Sequence, residues 1–369
     1  MDGSIVKARS DSWLEYVRPA VRVLEPYKWE ISSSEVSARY GIPIDDVLRF
    51  DTNTSPFQPM NLAPALHNFA ETMPINEYPD TSYRELVAQL VAYTGFPADQ
   101  IVVGCGADEV LDMIAKVFLE KGARAVVSRP SYAMYPVLVS LNDATLVPID
   151  DGRDYHRDVA ALARAAHDAT AVFLCNPNNP TANLIPLDEI TTLVEAVHCP
   201  IVIDEAYFEF SGVTAAGLIE RFPHVIVVRT LSKAFSLAGL RVGYALASSA
   251  MADVINRVRP PNSIGSISLR LASAALRDLP LMRERVAAIL AEKARFAAAL
   301  APYVEEVYPS ATNFLLVRVA EPVRAVESLL RAGIVVRDLS SRSGLIGCLR
   351  PTVRLPAEND RFVAALAGQ

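Results

Sequence analysis

Five short apolar runs punctuate the middle of the chain: Ala125-Val126-Val127, Thr145-Leu146-Val147, Ala171-Val172-Phe173-Leu174, Ile201-Val202-Ile203 and Val225-Ile226-Val227-Val228. Each is apolar at consecutive rather than alternate positions, the pattern of a strand covered on both faces. Helical stretches such as Val159–Ala166 and Leu187–Ala196 fall between them. Strands alternating with helices predict an α/β domain with a largely parallel sheet, and ligands at the carboxyl ends of its strands.

The residues that follow those runs are therefore the informative ones. Asn176-Pro177-Asn178-Asn179-Pro180-Thr181 follows one, Asp204-Glu205-Ala206-Tyr207 closes another, and Thr230 to Lys233 closes a third. All three are expected at one edge of the sheet. A carboxylate emerging from a buried strand is costly unless a cation or a donor meets it. Asp204 is thus read either as the partner of a cationic ligand or as a turn aspartate. A further glycine turn, Gly104-Cys105-Gly106, links the run Ile101-Val102-Val103 to an amphipathic helix. Such a turn is either an anion cradle of backbone N–H groups or simply a tight turn.

Lys233 ends the segment Val228-Arg229-Thr230-Leu231-Ser232-Lys233, and Arg241 follows eight residues later. A lysine amine attacks a carbonyl only when neutral, which requires desolvation or nearby positive charge to lower its pKa. The apolar run and Arg241 are placed to supply both, while Thr230, Ser232 and Arg241 suit a phosphate. Pyridoxal phosphate, an aldehyde that carries a phosphate, uses all of these groups at once. The plainer alternative is a solvated loop lysine.

With 369 residues, 51% of them hydrophobic, the chain is long enough for about two domains. No apolar run approaches a membrane span, and residues 1–11 lack the apolar core of a secretory signal. The net charge of -7 and the absence of Lys/Arg runs argue against a nucleic-acid surface. Four cysteines without a C-x-x-C pair read as reduced thiols of a cytoplasmic protein, and five histidines show no metal-ligand spacing.

Around that centre, residues 12–24 and 33–39 predict short helices and Val47-Leu48-Arg49-Phe50-Asp51 a strand, followed by loop from 53 to 64. Thr81 or Ser82 is expected to cap a helix ending at Gly95. After Pro260-Pro261 the character changes to helix over 267–276 and 281–300. Strands follow at Asn313-Phe314-Leu315-Leu316-Val317, Ile334-Val335-Val336-Arg337 and 348–354, then a final helix from Asn359. The expected division is an arm and small-domain segment at 1–45, a large domain at 46–260 and a smaller α+β domain at 261–369. Arg337 and Arg350 sit at or in apolar strands, so each needs an anionic partner, either a protein carboxylate or a substrate.

These segments resemble the fold-type I, pyridoxal-phosphate-dependent aminotransferases, and among them the histidinol-phosphate aminotransferases. The likeness runs over nearly the whole chain. It includes Leu24-Glu25-Pro26-Tyr27, Gly106-Ala107-Asp108-Glu109, Pro130-Ser131-Tyr132-Ala133-Met134-Tyr135, Asn176 to Thr181, Asp204 to Phe210, Thr230 to Gly243, Asn313-Phe314, Val336-Arg337-Asp338 and Gly347-Cys348-Leu349-Arg350. The resemblance implies that Lys233 carries the cofactor and moves the proton, that Asp204 pairs with the pyridine nitrogen, and that Asn176 and Tyr207 bond the ring hydroxyl oxygen. Tyr132 is implied to stack on the ring. Ala107, Asp108, Thr230, Ser232 and Arg241 are implied to hold its phosphate, with Tyr78 from a second subunit. Arg337, Arg350, Asn313 and the partner's Tyr27 are implied at the substrate.

The resemblance further implies a homodimer with shared active sites, acting on a small amino donor and a 2-oxo acid. Histidinol phosphate with 2-oxoglutarate is the expected pair. The other readings are an aromatic amino acid aminotransferase, a decarboxylase of the threonine-phosphate type, or a non-enzymatic binding protein on the same fold. Three positions depart from the family pattern: Ala182 where Gly is usual, Pro351 where an aliphatic residue is usual, and Val353-Arg354 where Val-Gly is typical.

Overall fold

A computed structural model of the chain describes residues 12–25, 29–67, 73 and 75–368. A short strand β1 (Leu48–Arg49) precedes the strands of a large sheet: β2 (Ile101–Gly104), β3 (Arg124–Arg129), β4 (Thr145–Asp150), β5 (Ala171–Cys175), β6 (Ile201–Asp204), β7 (Val225–Thr230) and β8 (Gly243–Leu246). The seven large-sheet strands lie in the order β2-β8-β7-β6-β5-β3-β4. Neighbours are parallel except at β8, which runs antiparallel to both β2 and β7. Every residue of β5, β6 and β7 is buried, as runs of β-branched and aliphatic side chains covered on both faces must be. β4 lies at the edge, where Pro148 costs no ladder bond on the open side.

The sequence does not signal β8. It is four residues long and begins at Gly243, whose backbone presses so closely on Gly106 and Ala107 that a Cβ would overlap them. Glycine is there for close approach of β8 to the helix α1 (Gly106–Phe118), which packs Val110, Leu111, Ile114 and Ala115 into the core beside it.

Four further strands, β9 (Glu306–Val307), β10 (Val317–Arg318), β12 (Arg337–Asp338) and β13 (Cys348–Arg350), form a small antiparallel sheet in the order β12-β13-β10-β9. β11 (Ile334–Val335) pairs in parallel with β1, so chain near residue 48 is bound to chain near residue 334. Phe50 continues this union by packing on Phe296 and Phe362, which belong to α2 (Leu279–Leu300) and α3 (Pro356–Ala367).

Several predicted boundaries change. Residues 12–24 split into a 3-10 turn, Ser12–Tyr16, and a single helical turn, Pro19–Arg22, because Pro19 starts a helix better than it continues one. The helix over Arg84–Thr94 is capped not by Thr81 or Ser82 but by Tyr83 at φ 47°; Ser82 instead bonds Asp80. Strand structure at 313–317 shrinks to β10 plus a bridge from Phe314 to Thr352, and the last helix starts at Pro356 rather than Asn359. Among the described residues no helix is long and apolar enough to cross a membrane, and no His, Cys, Asp and Glu cluster suits a metal.

Candidate active site

The ends of β5, β6 and β7, the start of α1 and the two arginine strands enclose a cleft of about 440 Å³. Lys233 stands in it three residues past β7, its Nζ 3.4 Å from the carbonyl oxygen of Thr52. Burial lowers its pKa to about 8, helped by the charges of Arg350 and Arg241 and opposed by those of Asp108 and Asp204. Its place in the cleft argues against the solvated loop lysine, and the lowered pKa leaves a larger neutral fraction near physiological pH than an ordinary lysine has.

Asp204 is the last residue of β6 and is 3% exposed. Its Oδ2 accepts a hydrogen bond from the Tyr135 hydroxyl at 3.0 Å, and its Oδ1 accepts from the Ala206 N–H at 3.1 Å. Burial pushes its pKa up to about 6, against the pull of those two donors. It makes a turn bond and also lines the cleft, so the turn and ligand readings are compatible.

An anion cradle lies beside it. Ala107 and Asp108 open the 13-residue helix α1, whose first N–H groups have no partner within the helix. The Thr230 hydroxyl donates to Ser232 Oγ at 2.9 Å, and both residues line the cleft. Arg241 approaches Asp108 at 3.3 Å. Glycine makes room for this: a Cβ on Gly106, at φ +82°, would lie 2.6 Å from the Arg241 guanidinium. Helix N–H groups, two hydroxyls and a guanidinium gathered at one end of the cleft, with room left by the missing Cβ of Gly106, fit a cofactor phosphate.

The ring of Tyr132 lines the cleft, with its hydroxyl donating to Asp108 Oδ1 at 2.7 Å and its edge against Tyr135. Tyr207 accepts from Asn53 Nδ2 at 3.1 Å, and burial raises its pKa. Asn53 at φ 53°, from chain read in the sequence as loop, Asp51, from the end of a predicted strand, and Trp29, between two predicted helices, are cleft residues that were missed. Tyr135 was missed as well; its place in the run Tyr132-Ala133-Met134-Tyr135, one helical turn from Tyr132, was the available signal.

Two expected site residues are corrected. Asn176 does not line the cleft: its Oδ1 accepts the Ile185 N–H at 2.7 Å and its Nδ2 donates to the Ile185 carbonyl at 3.2 Å, using both ends of the amide. Asn179 lines the cleft instead, 2.5 Å from Arg350 Nη1. Asn313 is fully buried behind the site, where its Nδ2 holds the carbonyl of Asn53 at 3.0 Å. Tyr78 is exposed and outside the cleft, and Tyr27 lies outside the described residues.

Arg337 and Arg350 both line the cleft and face each other as Cα partners across β12 and β13. Arg350 Nη2 donates to the Asp51 carbonyl at 2.7 Å, whereas Arg337 Nη1 meets Glu30 at 3.1 Å. For Arg337 the anionic partner is thus a protein carboxylate. Of the departures, Pro351 falls just past the end of β13, where its missing N–H interrupts no ladder. Arg354 turns away to Glu358 at 2.8 Å and to the Arg49 carbonyl.

Residues 45–366 match the family model of aminotransferase class I and II. The chain belongs to that family. This aminotransferase is 38% identical over 323 residues to a histidinol-phosphate aminotransferase of Thermoanaerobacter pseudethanolicus, covering 86% of the present chain and 92% of the relative. It is 35% identical over 322 residues to that of Caldanaerobacter subterraneus, with 86% and 92% covered. Among solved structures it resembles histidinol-phosphate aminotransferase from Sinorhizobium meliloti in complex with pyridoxal-5'-phosphate, at 27% identity and a TM-score of 0.87, covering 97% and 98% of the two chains. In the aminotransferase, the amine of lowered pKa, the buried carboxylate and the anion cradle occupy one cleft.

Proposed function

We propose that the cleft holds pyridoxal 5'-phosphate and that the enzyme moves an amino group between histidinol phosphate and 2-oxoglutarate, a step of histidine biosynthesis. The observation that carries this reading is Lys233: a partly buried amine with its pKa lowered to about 8, in one cleft with Asp204 and the Thr230, Ser232 and Arg241 cradle. Similarity to proteins named for this activity over most of their length supports the choice of substrate.

When bound, the cofactor supplies an electron sink for the pair left when a Cα–H bond breaks. The protein's part follows from its own groups. Lys233 Nζ, in its neutral form, would take the proton from the substrate Cα and would give it to the cofactor's C4′ carbon, which leaves the amine neutral again. Asp204, whose pKa burial pushes up to about 6, would be ionised above that pH and would hold a protonated ring nitrogen. Tyr207 and Asn179, both in the cleft, would hydrogen-bond the ring hydroxyl, and Tyr132 would cover the ring face. Arg350 and Arg337 take the anionic ends of the substrates.

The proposed assembly is a cytoplasmic homodimer, with residues 46–260 as the large domain and 261–369 as the small one. Trp13, Tyr16, Val23, Ile75 and Tyr78 are large side chains left exposed, which supports burial against a second copy. Tyr78 and Tyr27 would then serve the other subunit's cleft. The test is a half-reaction on purified, cofactor-loaded protein, following the visible absorbance of the cofactor. Bleaching by histidinol phosphate at low concentration is the expected result. Bleaching by phenylalanine alone would move the substrate to the aromatic branch, and release of carbon dioxide from threonine phosphate would move it to the decarboxylases.

A further inference from the structure

Arg337 and Arg350 stand side by side but have different company. The acceptors on Arg350 include an uncharged side-chain oxygen, that of Asn179, and an uncharged carbonyl, that of Asp51. Arg337 faces a full negative charge. Glu30 Oε1 lies 3.1 Å from its Nη1 and also accepts the Asp338 N–H at 3.3 Å. The Arg337 side chain is 7% exposed and that of Glu30 22%, so Glu30 closes the solvent side of the pair.

A carboxylate at that distance cancels most of the field that an incoming anion would feel from the guanidinium. A dianion can use Arg337 fully only by replacing the carboxylate. Glu30 is suited to yield: burial raises its pKa more than Arg337 lowers it, so its charge is held weakly. The neighbouring Trp29 lines the cleft, which puts this segment at the substrate's outer end.

We propose that Glu30 is a specificity-determining residue, which holds Arg337 and competes with the anionic end of the substrate for that guanidinium. The inference rests on the reading of the cleft as a transaminase substrate site. Its consequence is selective: a substrate with an anionic outer end must displace Glu30, while a substrate with a neutral end does not. Glu30 thus sets how strongly the enzyme prefers phosphate-bearing over neutral-ended amines.

The test uses the cofactor-loaded enzyme, so that the cradle around Arg241 is occupied, and sulfate as the probe dianion, with calorimetric Kd values for wild type, Glu30→Gln, Arg337→Gln and the double variant. Glu30→Gln is expected to tighten sulfate by roughly threefold or more, the scale of a partly exposed charge pair. It is also expected to lower KM for histidinol phosphate with kcat unchanged and to leave KM for histidinol alone. In the Arg337→Gln background the gain should vanish. Unchanged or weaker sulfate binding in Glu30→Gln, or a gain that persists without Arg337, overturns the proposal. If wild type fails to turn over histidinol phosphate, the substrate reading fails, and the sulfate cycle still decides the role of Glu30.

Discussion

Tyr135 donates its hydroxyl hydrogen to Oδ2 of Asp204 across 3.0 Å, behind the face that Asp204 presents to the cleft. The ring is fully buried against Phe173 and Tyr132, so a Tyr135→Phe variant keeps its packing and loses the donor alone. Burial already holds Asp204 up at about 6, and the donor restrains it. Without that donor the carboxylate pKa rises by about one unit or more, since a hydrogen bond to a charged group contributes ~1.5–3 kcal/mol. The pH below which cofactor affinity falls should move up correspondingly in titrations of the apoprotein. An unchanged pH dependence would reduce Tyr135 to a space-filler.

Lys233 sets a second pH dependence. Its amine is charged below and neutral above a pKa of about 8, whereas an ordinary lysine would change at 10.5. The rate at which apoprotein combines with the cofactor aldehyde should therefore climb through about pH 8 and level off above it. Arg350→Gln removes the cation that, after burial, does most to lower that pKa, so its midpoint should shift upward. A wild-type midpoint near that of a solvated lysine would contradict the burial argument.

Two of the asparagines in the loop after β5, Asn176 and Asn179, should separate stability from catalysis. Asn176→Ala leaves the buried N–H and C=O of Ile185 without partners, at about 1–3 kcal/mol of stability in a urea melt. Asn179→Ala touches a half-buried cleft residue bonded to Arg350 and should lower kcat/KM with a smaller loss of stability.

Ala182 occupies a left-handed conformation, φ 64°, and is fully buried. Replacing it with Gly relieves about 1–2 kcal/mol of steric strain. The same change frees the unfolded chain by about 0.4–1 kcal/mol and removes a buried methyl worth about 0.8 kcal/mol. The terms nearly cancel, which explains how alanine is tolerated at a left-handed position. Ala182→Gly should thus shift unfolding free energy by less than about 1 kcal/mol, measured by denaturant titration.

Asp204, Thr230 and Lys233 were legible because each lies at or just past the end of a strand that begins as an apolar run. Asp204 closes β6, Thr230 closes β7, and Lys233 follows it. Consecutive apolar positions announce a strand buried on both faces, and a parallel sheet brings the carboxyl ends of such strands to one edge. Arg337 and Arg350 were legible for the same reason, as charges in apolar strands. β8 was not, since four residues beginning at a glycine carry no period, and its place depends on close approach to Gly106.

What the amino-acid order determined by itself was the strand-and-helix alternation, the sheet edge where the cleft lies, and the amine, carboxylate, hydroxyls and guanidinium gathered there. What only the tertiary structure decided was which polar residues of irregular chain reach that edge. Three asparagines lie between 176 and 179, and the loop's own hydrogen bonds turn Asn176 inward and leave Asn179 in the cleft. Asn53 and Asp51 arrive because β1 pairs with β11 from the far end of the chain, and Glu30 reaches Arg337 across 307 positions. Such contacts join groups remote in sequence and follow no local period. They exist only once burial of the core has fixed where each segment runs.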